Sequence, residues 1–309
     1  MNKKQELREV LGKLPEDLRH ELELFFLDRA DKTRSVASRL LYAYTALSLV
    51  RHAEVRSLRE LDRQRYLTWK RAMVSGGASD FTIRSYVTRI KALMRWLHGQ
   101  VPDWLRGEAS STWQLYSKGE HLRDKVLRAE ELEALLRACD NVRDLAIIGI
   151  LAETGLRIGE LLSLRLRDIE VLPDGSFRLN VRGKTGVRTV VVIRAAKALA
   201  TWLRERPGPK DLDSPVFTTM TKPYRPLRPG SFRAHLRNIA KRAGLKRPVH
   251  PHMLRHTCMT RLARILTEQE LKVVAGWTKN SPMATVYVHL SGRDAERALR
   301  KAYEALRKE

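Results

Sequence analysis

Apolar positions recur at helical spacing along most of this chain, and only one stretch switches to strict alternation. In residues 15–28 (PEDLRHELELFFLD), Leu18, Leu22, Phe25 and Phe26 fall on one side. That predicts an amphipathic helix, opened by Pro15 and by acids in its first turn. The same period predicts helices at Thr33–Val50, Leu58–Val74 and Phe81–His98. Ser57 and Glu60 have the spacing of a capping box for the middle one, and Ser75-Gly76-Gly77-Ala78-Ser79 separates it from the last. Residues 99–124 lose the period and gather Gly, Pro and Ser, so they read as an interdomain linker with one helical turn around Trp104.

Beyond residue 125 the helical period returns, at Ala129–Ala138, Val142–Ala152, from Arg157 after a Thr154-Gly155 break, and at Arg194–Arg206. Phe177, Leu179 and Val181 alternate with Arg178, Asn180 and Arg182, the pattern of a half-buried strand. Short strands are predicted at Ile169–Leu172, Phe177–Val181 and Val187–Ile193, with turns at 173–176 and 183–186. Thr267 and Glu270 cap a short helix that Gly276 ends. The expected fold class is mainly α with a small antiparallel β-sheet, in two domains. The boundaries read as an extension helix at 1–30, a helical domain at 31–100, a linker at 101–124 and a second domain at 125–309 that includes a C-terminal helix.

Charge narrows the function. The chain of 309 residues carries 59 Lys and Arg against 35 Asp and Glu, a net charge of +24. An excess of that size, spread over folded sequence, favours an extended polyanion, and nucleic acid above all. The predicted helix at 81–98 carries Arg84, Arg89, Lys91 and Arg95 beside its apolar stripe, which makes them candidate phosphate contacts. No run of about 18 apolar residues occurs, so no membrane partner is expected. The first 18 residues hold no signal-peptide core, and Cys139 and Cys258 have no paired spacing. A reducing, cytoplasmic and nucleoid-associated setting is expected.

Six residues then carry the chemistry: Arg157, Lys184, His252, Arg255, Trp277 and Tyr287. Each alone has an ordinary reading, such as a surface Arg157–Glu160 pair, a solvated turn lysine, or a core Trp and Tyr. Together they are donors and one nucleophile suited to a phosphodiester. They contain no carboxylate pair, and the cluster of His250, His252 and His256 lacks the H-E-x-x-H pattern of a metal site. RGKTG is no Walker A loop, because residue 178 is Arg where that motif needs Gly. The expectation is phosphoryl transfer through a covalent protein intermediate, with no metal and no cofactor.

The segments T-G-L-R-I-G-E-L, the turn lysine, H-x-L-R-H-T and the terminal Y-x-H, in that order, closely resemble the tyrosine recombinase (phage integrase) family. The resemblance covers about residues 30–295, and the ending YVHLSGRDAE is most similar to the archaeal Xer-type branch. It implies a two-domain C-shaped clamp, with a core-binding (SAM-like) domain at 31–100 and a catalytic domain at 125–309. It implies that Arg157 and Arg255 clamp the scissile phosphate, Lys184 is the hairpin lysine that protonates the departing 5′ oxygen, His252 is the first histidine and the candidate acceptor of the tyrosine proton, and Tyr287 is the nucleophile. Trp277 is a departure, since many members have histidine there; indole can donate or buttress but cannot act as a base. The implied partners are double-stranded DNA with paired recognition sites and three further copies in a tetramer, whose C-terminal helix either packs in cis or, as in many relatives, docks on a neighbouring copy. A type IB topoisomerase or a non-catalytic DNA-binding protein is the alternative class.

Overall fold

A computed structural model describes residues 2–31, 33, 35–108, 125–183, 186–290 and 303. The chain divides into two compact units, Met1–Leu115 and Tyr116–Glu309. The fold is mainly helical with one three-stranded antiparallel sheet, as the periodicity predicts.

The first unit contains α1 (Lys3–Gly12), α2 (Glu16–Asp28), α3 (Val36–Ala53), α4 (Arg63–Ser75), α5 (Asp80–His98) and α6 (Asp103–Arg106). The stripe on α2 is core: Leu18, Leu22, Phe25 and Phe26 pack with Leu40, Ala43, Leu47, Leu58 and Leu93. Glu21 of the same helix accepts the Ser57 hydroxyl at 2.8 Å and the Leu58 amide at 2.6 Å. The extension is therefore part of this unit's core. Helix α1 lies beyond the elements the period assigned, because its sequence is too polar to show a wide apolar stripe.

The predicted helix at 58–74 divides. Leu58–Glu60 forms a single 3₁₀ turn, and α4 begins after Asp62, whose carboxylate accepts the Arg65 amide at 2.8 Å. Ser57 and Glu60 do not close a capping box. Ser57 accepts from Arg59, while Glu60 reaches back to the Arg56 amide at 3.0 Å. Asp62 wins because a short carboxylate directly before the helix satisfies its orphan amides without a detour. The turn around Trp104 is present as α6, and Lys91 of α5 donates to two carbonyls there, Arg106 O at 2.9 Å and Glu108 O at 2.7 Å.

The second unit contains α7 (Ala129–Arg137), α8 (Val142–Thr154), α9 (Ile158–Leu162), β1 (Ile169–Val171), β2 (Phe177–Gly183), β3 (Gly186–Val192), α10 (Ala196–Glu205), α11 (Pro229–Arg242), α12 (Pro251–Leu262), α13 (Glu268–Ala275) and α14 (Met283–Leu290). In the sheet, β2 lies between β1 and β3, with Leu179 opposite Ile169 on one side and Val190 on the other. Phe177, Leu179 and Val181 face the core. Helix α8 is buried almost all round and forms the centre of that core. Glu153 near its end accepts the amides of Ile193, Arg194 and Ala195 at 2.9, 2.7 and 3.0 Å, fixing the exit of β3. Helices α11 and α14 were not assigned from the sequence. In α11, Phe232, Leu236, Ile239 and Ala240 are buried at helical spacing between basic residues. Cys258 is buried as a small core group; Cys139 is only half-buried. Among the described residues no helix is long and apolar enough to cross a membrane.

Candidate active site

The site is assembled where three helix ends meet. Helix α8 stops at Gly155 in the left-handed region (φ 64°). That conformation favours glycine, and a Cβ there would also meet Met259 Cε of α12 at 2.3 Å and Cys258 Sγ at 3.3 Å. The turn presents the Gly155 carbonyl to Arg255 of α12, whose Nη1 donates to it at 2.5 Å. Nη2 of Arg255 donates to the Ala275 carbonyl at the end of α13, at 2.7 Å. The guanidinium also lies over the Trp277 ring, 5.5 Å from its centroid. One buried arginine thus joins the T-G-L-R segment, the H-x-L-R-H-T helix and the A-G-W turn.

Arg157 is the N-cap of α9. Its backbone amide donates to Glu160 Oε2 at 3.0 Å and its Nη1 to Glu160 Oε1 at 2.8 Å. The same carboxylate accepts Arg188 of β3, through Nη2 at 2.8 Å and Nη1 at 3.3 Å. Glu160 is nearly buried, with 8% of its side chain exposed, whereas Arg157 keeps 39% open. Burial pushes the Glu160 carboxyl up, but Arg188 and the Arg157 amide overcome that and hold it down to about 2. The Arg157–Glu160 pair is therefore no loose surface bridge. It is a rigid mount that keeps one arginine aimed outward.

Arg188 packs against Gly276, where a Cβ would fall 2.6 Å from Nη1 and 2.7 Å from Cζ. Gly276 also closes α13 in the left-handed region (φ 62°). Glycine before Trp277 is required twice, by backbone and by neighbour.

Tyr287 lies on α14 and is 1% exposed. Its ring stacks on Trp277, with centroids 5.5 Å apart and planes 11° from parallel. Its hydroxyl is hydrogen-bonded to His256 Nδ1 at 2.5 Å. Trp277 therefore buttresses both Arg255 and Tyr287. His252, one turn before His256, has more than a third of its surface open.

The cluster is crowded with positive charge. Burial, then the nearby Arg157, push the Arg255 guanidinium down to about 10. His252 is lowered by partial burial of its ring and by Arg255, Arg157 and Arg233. His256 is pushed down to about 4 by burial, then by His252, Lys125, His250 and Arg255. Three guanidiniums face one carboxylate, and the excess positive charge disfavours further protonation of its neighbours. A phosphodiester would relieve that strain.

Of the six sequence-predicted residues, the structure gathers Arg157, Arg255, Trp277 and Tyr287 around this cluster, with His252 at its open edge. Lys184 lies outside the described residues, between the ends of β2 and β3. Glu160, Arg188 and His256 are additional members. Arg188 was legible as a cation in the inward register of β3, sharing a face with Val190 and Val192. His256 gave no signal beyond its neighbours.

In the first unit, Arg84 pairs with Asp80 at 2.8 Å, and Arg89 is half-buried over the Tyr86 ring, 5.7 Å from its centroid. Lys91 is engaged with α6 as described, and Arg95 is exposed. Desolvation lowers both Arg89 and Lys91. Three of the four candidate phosphate contacts thus have partners within their own unit.

Comparison with known proteins gives a consistent result. The chain is 31% identical over 167 residues to tyrosine recombinase XerC of Haemophilus ducreyi, covering 53% of this chain and 52% of the relative. It is 32% identical over 197 residues to transposase A from transposon Tn554 of Staphylococcus aureus, covering 58% and 53%. The matches thus span about half the length of these curated relatives. Among solved structures, the fold is similar to the Tn1549 transposon integrase in complex with transposon right end DNA, with a TM-score of 0.70 at 17% identity over 93% of this chain and 98% of that one. It is also similar to the XerH site-specific recombinase bound to a palindromic difH substrate, with a TM-score of 0.68 at 21% identity over 96% and 92%. Residues 125–293, more than half of the chain, match the model of the phage integrase family. The chain belongs to that family, the tyrosine recombinases.

Proposed function

We propose that the chain is a site-specific DNA recombinase that breaks and rejoins strands through a 3′-phosphotyrosine on Tyr287. The observation that carries this reading is the single buried cluster in which Arg255 and Tyr287 share the Trp277 ring while Glu160 holds Arg157 at the rim. Arg157 and Arg255 supply planar, permanently charged forks for the nonbridging phosphate oxygens. Their stabilisation is preorganised, because Glu160 and two backbone carbonyls fix them before substrate arrives. Tyr287 attacks phosphorus, the bond to the 5′ oxygen breaks, and that oxygen takes a proton from Lys184 in its assigned role. His252 donates to the phosphate from the open edge. The bond energy stays in the phosphotyrosine, so resealing needs no nucleotide fuel.

Because Tyr287 is 1% exposed, helix α14 must shift for its hydroxyl to reach a phosphate in a duplex. In this reading, residues 31–100 bind the core site, 101–124 link the domains, and 125–309 form the catalytic domain. The assembly on DNA is a homotetramer on paired sites. The lambda integrase tetramer bound to a Holliday junction supports that stoichiometry by analogy; that structure has a TM-score of 0.66 at 14% identity over 90% of this chain and 78% of that one.

The test is capture of a covalent adduct. The full chain is incubated with a pool of nicked duplexes randomised around the nick, and protein–DNA species that survive detergent are sequenced. Adducts with a 3′-phosphotyrosyl linkage and a common sequence are expected. Relaxation of plasmids without sequence preference would instead indicate topoisomerase behaviour, and no adduct under any condition would remove the enzymatic reading.

A further inference from the structure

We propose that His256 is the catalytic group that takes the proton from Tyr287, and that it becomes competent only when the scissile phosphate is in place. This deepens the recombinase reading and rests on it. Nδ1 of His256 is 2.5 Å from the Tyr287 hydroxyl, and the rings lie 5.9 Å apart, tilted by 33°. A candidate base must lie within hydrogen-bond reach of its proton, and His256 does. It directly follows Arg255 on α12, so the base and the phosphate clamp ride on one rigid element. Tyr287 and Arg255 also both pack on the Trp277 ring, so the hydroxyl, its acceptor and the clamp belong to one cluster.

The electrostatics supply the gating. The groups that face His256 are His250, His252 and Arg255 on its own helix, Lys125 from the segment before α7, and the Tyr287 hydroxyl from α14. Apart from the neutral Tyr287 hydroxyl these groups are cations or can become so, and with burial they keep the imidazole neutral well below pH 7. Neutral imidazole has a lone pair free to accept, but in that field it is too weak a base to ionise a phenol. A phosphodiester bound between Arg157 and Arg255 brings a negative charge into the same field and offsets it. The imidazole then becomes more basic at the moment the proton must leave. The phenolic O–H proton passes to Nδ1, the oxygen bonds to phosphorus, the P–O5′ bond breaks, and the 5′ oxygen takes the proton from Lys184. The proton on Nδ1 returns to the phenolic oxygen when the reverse step reseals the strand.

The experiment uses the full chain and a nicked duplex that the wild type captures, with adduct formation timed from pH 4 to 9. His256→Asn keeps an acceptor near the Nδ1 position but cannot hold the proton; His256→Ala removes both. Wild type should show an acid limb, its rate falling as pH drops through the imidazole's bound-state value, which should lie above about 4. His256→Asn should be slower by about 10²–10⁴-fold, without that limb and with a rate rising toward the phenol's own range near 10. An unchanged acid limb in His256→Asn, or a rate within about threefold of wild type, overturns the assignment. If both variants fail to fold, a wild-type rate that climbs tenfold per pH unit across the whole range overturns it just as well. Adducts formed by wild type but insensitive to His256 would sink this inference alone, whereas no adduct from any duplex would sink the recombinase reading with it.

Discussion

Glu160→Gln isolates the mount beneath the clamp. The substitution preserves shape but removes the charge that Arg157 and Arg188 share. Two independent routes give its magnitude. The carboxyl sits at about 2 rather than its ordinary 4.5, which at 1.36 kcal/mol per pH unit corresponds to about 3 kcal/mol of native-state stabilisation. Separately, removing one partner from a buried ion pair costs about 3–5 kcal/mol, because the other charge is stranded; Arg188 is 11% exposed, so it qualifies. Because the folded value is depressed, the contribution is complete above pH 4.5 and is lost as pH falls through about 2. Thermal melts of wild type and Glu160→Gln at pH 7 should differ by roughly 6–12 °C, at about 2–4 °C per kcal/mol for a domain of this size. The gap should narrow as both are acidified below pH 4.5. Adduct formation should fall by at least about tenfold, since Arg157 loses its fixed orientation. A melting difference under about 1 °C, or a gap that stays constant on acidification, would refute the argument.

Gly276→Ala should cost about 2–4 kcal/mol in urea denaturation, from left-handed strain and from the Cβ that would fall 2.6 Å from Arg188 Nη1; a neutral result would mean that Arg188 repacks freely. Tyr287→Phe should abolish the covalent adduct, leave DNA affinity within about twofold, and lower stability by about 1 kcal/mol through the lost bond to His256. Phe25→Ala should destabilise the first unit by about 3–5 kcal/mol, seen by calorimetry, because that ring lies in its core rather than at a partner surface. DNA affinity should fall steeply with salt, with a log–log slope of about −5 or steeper if six or more phosphates are neutralised; a slope near −1 would contradict the charge argument.

Much of this was legible along the chain, for identifiable reasons. The sheet and its flanking helices follow from periods that each element obeys locally: Phe177, Leu179 and Val181 alternate because one face of β2 is core. Gly155 and Gly276 were readable as helix stops. Their second role, admitting Met259 and Arg188, depends on elements about 100 residues away and has no local trace. Helix α12 shows the limit. Met253, Leu254, Arg255, Thr257, Cys258, Met259 and Thr260 are buried, polar and apolar alike, so its sequence shows little contrast between a polar and an apolar face. Buried position therefore could not rank its histidines, and His256 emerged only once α14 was seen to bring the Tyr287 hydroxyl to it. Arg84, Arg89 and Lys91 show the converse: a basic helical face reads as a phosphate surface, although its side chains find partners nearby.

The clamp and the nucleophile are held by forces of different size, and that difference bears on control. Arg255 is fixed by two charge-assisted bonds to carbonyls and by an aromatic face, and Arg157 by a buried carboxylate. Moving either would strand a charge. The contacts that hold Tyr287 include a hydrogen bond to His256, a stack on Trp277 and the burial of its ring. Exposing an aromatic ring of about 200 Å² costs about 5 kcal/mol at 25 cal/mol per Å². A penalty of that size keeps the hydroxyl withdrawn in all but about one molecule in several thousand, at 1.4 kcal/mol per tenfold. It is also small enough for a few phosphate contacts to offset. On the proposed function, strand attack then requires that DNA contacts repay the exposure of Tyr287, so the clamp would engage a phosphate before the nucleophile commits to it.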